Sequence, residues 1–165
     1  MTPDFIGRPH DFDFLAGGTW YVANRRLRRR LGAGDDWVAF EATMRASVHH
    51  DGQISTDEIV FPDLGCSGFT LRTLDVAAQR WEIYWINSRD GRMTPPVRGG
   101  WDGDRGVFFG DDEDDGRPVR VRFLWERLGP DQARWSQDFA LVGADGAPDG
   151  EWETNWVMEM RRLTA

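Results

Sequence analysis

Apolar and polar residues alternate with a period of two along most of this chain, and helical periodicity is almost absent. The clearest stretch sets Val38, Phe40, Ala42, Met44, Ala46 and Val48 against Ala39, Glu41, Thr43, Arg45 and Ser47. That is the signature of a long, half-buried strand. Alternating runs fall at 19–31, 36–50, 53–61, 68–76, 80–88, 97–102, 105–111, 117–128, 132–142 and 151–163. Between them lie Asp-Gly dipeptides at 51–52, 90–91, 102–103, 115–116, 145–146 and 149–150. Asp tolerates the left-handed region and Gly has no Cβ to clash there, so the pair suits hairpin turns. The pattern predicts one all-β domain over residues 1–165, an antiparallel meander of about ten strands. With so many strands and one apolar face, the sheet is expected to close into a barrel rather than leave bare edges. Residues 11–15 are expected to form a short helical turn that plugs one end.

The same alternation assigns an inner and an outer face to each strand. It places Trp81, Ile83, Trp85 and Asn87 inward, with Glu82 outward. It places Val121, Phe123 and Trp125 inward, with Arg120 and Arg122 outward, and Trp135, Gln137, Phe139 and Leu141 inward, with Arg134 and Asp138 outward. On the last strand Trp152, Thr154, Trp156, Met158 and Met160 form the expected inner face, opposite Glu151, Glu153, Asn155 and Glu159. Most of the tryptophans therefore converge on one interior. Ten strands enclose more space than their own side chains easily fill, which predicts a cavity, although a core filled solid by indoles is the alternative. Asn24, Arg26, Glu58, Asn87, Gln137 and Thr154 are the polar groups in inward phase. An apolar cavity with a few converging polar groups is the usual composition of a small-molecule site. On strand 36–50 either the aliphatic face or Glu41, Thr43 and Arg45 could face inward.

Composition narrows the chemistry. The 165 residues carry 20 basic and 28 acidic side chains, a net charge of −8, and every basic residue is arginine. Without lysine there is no Schiff base and no P-loop lysine. The acidic balance argues against nucleic-acid and anionic-membrane partners. Cys66 is the single cysteine, so no internal disulfide or thiolate cluster forms. No basic segment followed by an apolar stretch opens the chain, and no apolar run reaches the ~18 residues of a membrane helix. Cytoplasm is the expected compartment, and lysine-free, Arg-, Ala- and Gly-rich usage fits high-GC bacterial coding.

Gly18-Thr19-Trp20, at the start of the first strand, resembles the Gly-x-Trp that opens calycin barrels, the superfamily of lipocalins and fatty-acid-binding proteins. The resemblance implies that Trp20 closes one end of the barrel and that an arginine near the end of the last strand lies over its indole. Arg162 is in phase for this role, with Arg161 the second choice. The runs Asp11–Leu15, Arg80–Trp85, Gly116–Phe123 and Trp152–Trp156 resemble a bacterial family described only as a domain of unknown function. That likeness implies a lipocalin-like barrel and no particular activity.

Other motifs carry less. The acidic run 111–116 has Arg122 where a calcium loop needs its bidentate Glu, so an exposed hairpin turn is expected. His49 and His50 are adjacent on a strand, point to opposite faces and cannot share one metal. No metal and no cofactor is therefore expected, with haem on a single axial His50 as the alternative. Three functions remain. The first is a binding module holding a small apolar or aromatic molecule against Phe123, Trp85, Trp125, Trp135 and Trp156, its polar end met by Asn24, Arg26, Asn87, Gln137 and Thr154. The second is a cofactor-independent cyclase, isomerase or decarboxylase whose acid or base is Glu58, Glu41 or Asp57, because a carboxyl in a Trp-lined pocket works near neutral pH. The third is a filled barrel that self-associates, as a homodimer for example, through Tyr84, Ile86 and Val157.

Overall fold

The computed structural model describes residues 4–32 and 34–164. Ten strands run in chain order: β1 Thr19–Leu27, β2 Trp37–His49, β3 Ile54–Phe61, β4 Cys66–Asp75, β5 Arg80–Asn87, β6 Val97–Asp102, β7 Arg105–Asp114, β8 Arg117–Gly129, β9 Gln132–Val142 and β10 Pro148–Thr164. Each pairs antiparallel with its chain neighbours, and β1 pairs with β10 to close the barrel. Short 3-10 turns at Asp13–Leu15 and Pro62–Leu64 are the only helical pieces among the described residues.

Asp-Gly pairs make the tight turns that alternation requires. Asp51 and Gly52 have φ of 52° and 83°, and Asp115 and Gly116 have 51° and 78°. Asp149-Gly150 behaves differently from the expected turn. It lies inside β10, where the register against β9 shifts between Asp149 and Glu153. β1 also ends earlier than expected, at Leu27, and β7 runs on through the acidic stretch to Asp114.

One end of the barrel is closed by the N-terminal segment. Phe12 and Leu15 are fully buried there, and the Phe12 ring meets Trp81, Trp101 and Trp125 edge to face at 5.0–6.1 Å. The Trp20 indole donates to the Leu15 carbonyl at 2.9 Å. Arg162 lies over the Trp20 ring, 4.3 Å from its centroid, and donates to the carbonyls of Phe14, Ala16 and Gly17. A planar guanidinium suits this position because one face stacks on the indole while its edge satisfies the carbonyls of the plug. Gly100 makes room for the same segment: a Cβ there would stand 2.4 Å from the Ile6 carbonyl carbon.

The opposite end is built differently because β6 is short. It pairs with β5 only over Trp81–Ile83 and with β7 only as far as Phe109. Past those residues β5 and β7 run on without a β6 strand between them. The segment 88–96 folds back into this gap, with a bridge from Ile86 to Met93 and reciprocal bonds between Trp85 and Thr94. No helix among the described residues is long and apolar enough to cross a membrane.

Candidate functional site

Seven tryptophans point into the interior, while Trp37 and Trp152 lie outside it. Trp20, Trp81 and Trp101 are spent on the plugged end. The other four, Trp85, Trp125, Trp135 and Trp156, stand around an internal cavity with about 110 Å³ open to the centres of water-sized molecules. Space of that size holds several waters or a small organic molecule, well above the ~10–15 Å³ needed for one water.

The walls are organised by edge-to-face packing. Trp135 meets Phe123 at 5.0 Å and Trp156 at 5.5 Å, with interplanar angles of 74° and 84°. Aromatic pairs prefer this geometry because a positive ring edge meets a negative face. Trp156 is fixed from behind: its Nε1 donates to Asn24 Oδ1 at 2.9 Å, and the Arg26 guanidinium lies 4.6 Å from its ring centroid. On the far wall, Trp85 lies back against Gly68. A Cβ at that glycine would sit 1.8 Å from the Trp85 Cη2 atom, so only glycine lets the indole recline and leave the cavity open.

The cavity floor is polar. Asp57 on β3 and Arg72 on β4 are 3 % and 2 % exposed and form an ion pair above Phe12. Arg72 also donates through Nη1 to Ser55 Oγ at 3.0 Å and lies 5.5 Å from the Trp125 ring centroid. Its Nε is buried with no acceptor among the described residues. The ion pair survives burial because each charge faces the other and the guanidinium rests on aromatic faces. At the mouth stand Thr94 and Pro95 from the folded-back segment and Asp111 and Asp112 from β7. Asp111 pairs with Arg120 at 2.5 Å. Burial pushes the Asp112 carboxyl above its usual range, and the nearby Asp114 and Glu113 charges add to this.

The residues expected from the sequence divide into three groups. Trp85, Phe123, Trp125, Trp135, Trp156 and Gln137 all line the cavity. Gln137 is held there by donating to Asn155 Oδ1 at 2.9 Å. Asn24 and Arg26 do not line it; they buttress Trp156. Burial lowers the pKa of Arg26, and the neighbouring Arg30 lowers it further.

Seven residues lie elsewhere than expected. Glu58 is exposed on the outer face, because Asp57, Ile59 and Phe61 take the inner positions of β3. Glu41 is also exposed and accepts a hydrogen bond from the Tyr21 hydroxyl at 2.8 Å, the aliphatic face of β2 being the inner one. Thr154 and Trp152 lie outside, because the β10 register against β9 shifts between Thr154 and Trp156 and turns Asn155 inward in their place. Thr154 bonds instead to Asp138 at 2.7 Å, beside Arg122, whose guanidinium covers Trp152. Asn87 ends β5 and accepts from the Arg89 backbone N–H at 2.9 Å, a turn-forming role away from the cavity. His50, the candidate haem ligand, is exposed in the β2–β3 turn with φ of 52°. Leu141, placed inward by alternation, is 40 % exposed near the end of β9.

Sequence reasoning gave Arg72 and the mouth aspartates no place in the site. Arg72 alternates in phase with Thr70 and Gly68 at the centre of β4, where the opposite face carries the larger apolar residues Phe69 and Leu71. No family model matches this chain, and no curated protein matches it.

Proposed function

We propose that this protein is a calycin-like binding protein that holds one small, flat, apolar or aromatic molecule inside its barrel. The observation that carries this reading is the cavity itself, walled by Trp85, Phe123, Trp125, Trp135 and Trp156 and floored by a single polar locus. Pockets of this composition gain affinity from apolar burial and orientation from the few polar groups. The reclined Trp85 over Gly68 supports it further, since a wall residue at position 68 would fill the space. The proton-transfer alternative asks for a free carboxylate inside the cavity. Asp57 is the one at the floor, and its carboxylate is engaged by Arg72, which favours binding over catalysis.

The test is a titration of tryptophan fluorescence with naphthalene derivatives, accompanied by native mass spectrometry of the purified protein. Saturable quenching with one molecule bound per chain is the expected result. No response from any member of a broad aromatic panel would overturn the reading.

A further inference from the structure

The charges lining the cavity carry an inference about which molecules enter it, and it rests on the binding function proposed above. Asp57, Asp111 and Asp112 border the space, against the one guanidinium of Arg72, and the Asp111 carboxylate turns outward to Arg120. Arg72 is already neutralised: Nη2 meets Asp57 and Nη1 meets Ser55. Asp111 has its own cation in Arg120. Asp112 accepts from the Glu113 backbone N–H, has no ion-pair partner among the described residues, and is flanked by Glu113 and Asp114, of which Asp114 is tied to Arg30 and Arg117. Arg26, the nearest inward-phase cation on β1, stands behind Trp156 rather than on the lining. The walls are indole and phenyl faces, whose quadrupoles repel negative charge.

Beside this surface a hydrogen-bonding function is unmet among the described residues. The Arg72 Nε–H is buried without an acceptor, on a residue that forms the cavity floor. A buried donor left unpaired costs free energy that a ligand oxygen would recover. The guanidinium charge is spent on Asp57, so this donor favours a neutral acceptor such as a carbonyl oxygen.

We infer that the cavity selects uncharged aromatic molecules that carry an acceptor oxygen at their inner end, held by Arg72, and that it rejects aromatic carboxylates. Mouth and floor act together here. The unpaired Asp112 opposes an anion on entry, and the Asp57–Arg72 pair offers it no free countercharge at the bottom.

Three naphthalene probes of equal ring size decide the matter: 2-acetylnaphthalene, 2-ethylnaphthalene and 2-naphthoate, titrated by fluorescence at pH 7.5 and low salt. The ketone is expected to bind about fivefold or more tighter than the hydrocarbon, the worth of one recovered hydrogen bond. It is expected to bind at least tenfold tighter than the carboxylate. In the mouth variant Asp112→Asn, the gap between carboxylate and ketone should narrow several-fold. Equal or tighter binding of 2-naphthoate than of the ketone overturns the selectivity while leaving the binding function standing, as does a ketone that binds no better than 2-ethylnaphthalene. If none of the three binds, the binding function itself falls.

Discussion

Asn24 Oδ1 accepts the indole hydrogen of Trp156 at 2.9 Å, across the β1–β10 seam that closes the barrel. Both side chains come from inner positions, and Asn24 is only 1 % exposed. The bond therefore sets the rotation of a cavity wall and satisfies the indole donor. Replacing Asn24 by Leu leaves that part-buried N–H without its protein acceptor. A loss of about 1–3 kcal/mol in stability is expected. Urea denaturation checks it, and an unchanged midpoint would show that the indole finds another acceptor.

Gly68 controls the opposite wall. Gly68→Ala drives a methyl into the Trp85 ring, which must swing toward the cavity. The overpacking is expected to cost about 1–3 kcal/mol, with the barrel still formed. The informative quantity is affinity for 2-acetylnaphthalene, which should fall at least tenfold in a protein whose far-ultraviolet spectrum is unaltered. Wild-type affinity in the folded variant would mean that Trp85 does not bound the space the ligand uses.

The Asp57–Arg72 pair predicts strong non-additivity. Asp57→Leu alone strands a buried guanidinium and is expected to destabilise by about 3–5 kcal/mol. Arg72→Met alone strands the carboxylate with a similar cost. The double variant should be far less destabilised than the sum, because no uncompensated charge remains. A double-mutant cycle by chemical denaturation measures this, and simple additivity would show that the two charges do not depend on each other.

His10 clasps the plug to the β2–β3 turn. Its Nδ1 meets the Asp13 carboxylate at 2.7 Å, and its Nε2 lies 3.4 Å from Asp51. The Asp13 hydrogen bond raises its pKa above the ordinary 6.5, and the two carboxylate charges add to this. A raised folded-state value means that the protonated form is the one stabilised on folding. The contribution is complete below the unfolded pKa and disappears as pH rises through the folded one. The group is solvent-exposed, so the effect is small and salt-sensitive. Melting temperature should drop slightly between pH 6 and pH 8 at low salt. The same scan of His10→Asn, chosen because asparagine tolerates the positive φ at this position, should lack that drop.

How much of the site was legible depended on how cleanly each strand separated its two faces. β9 sets Trp135, Gln137 and Phe139 against Arg134 and Asp138, and the assignment of its inner residues followed directly. β3 offers two competing faces, Ile59 with Phe61 and Ile54 with Val60, and the polar members Asp57 and Glu58 change places with the choice. β10 alternates cleanly on paper, but the register shift after Thr154 reverses every side chain before it. A single inserted residue flips a strand's faces, and alternation cannot register the insertion.

The sequence by itself determined a closed meander of ten strands, the residues of the plug, the stacking of an arginine on Trp20, and an interior rich in indole. The strands, the plug and the indole-rich interior follow from local alternation, turn chemistry and composition, each of which acts over a few residues, whereas the arginine over Trp20 is what the resemblance of Gly18-Thr19-Trp20 implied. Tertiary structure alone decided which polar groups the indoles meet. The floor pair forms because Asp57 and Arg72 both face inward above Phe12, and the mouth exists because β6 is too short to join the far halves of β5 and β7. The indole-rich interior thereby resolves into a cavity wall of four indoles around one neutralised arginine. Register, bulges and strand length are set by closure of the whole barrel, and closure is a long-range condition that no local pattern contains.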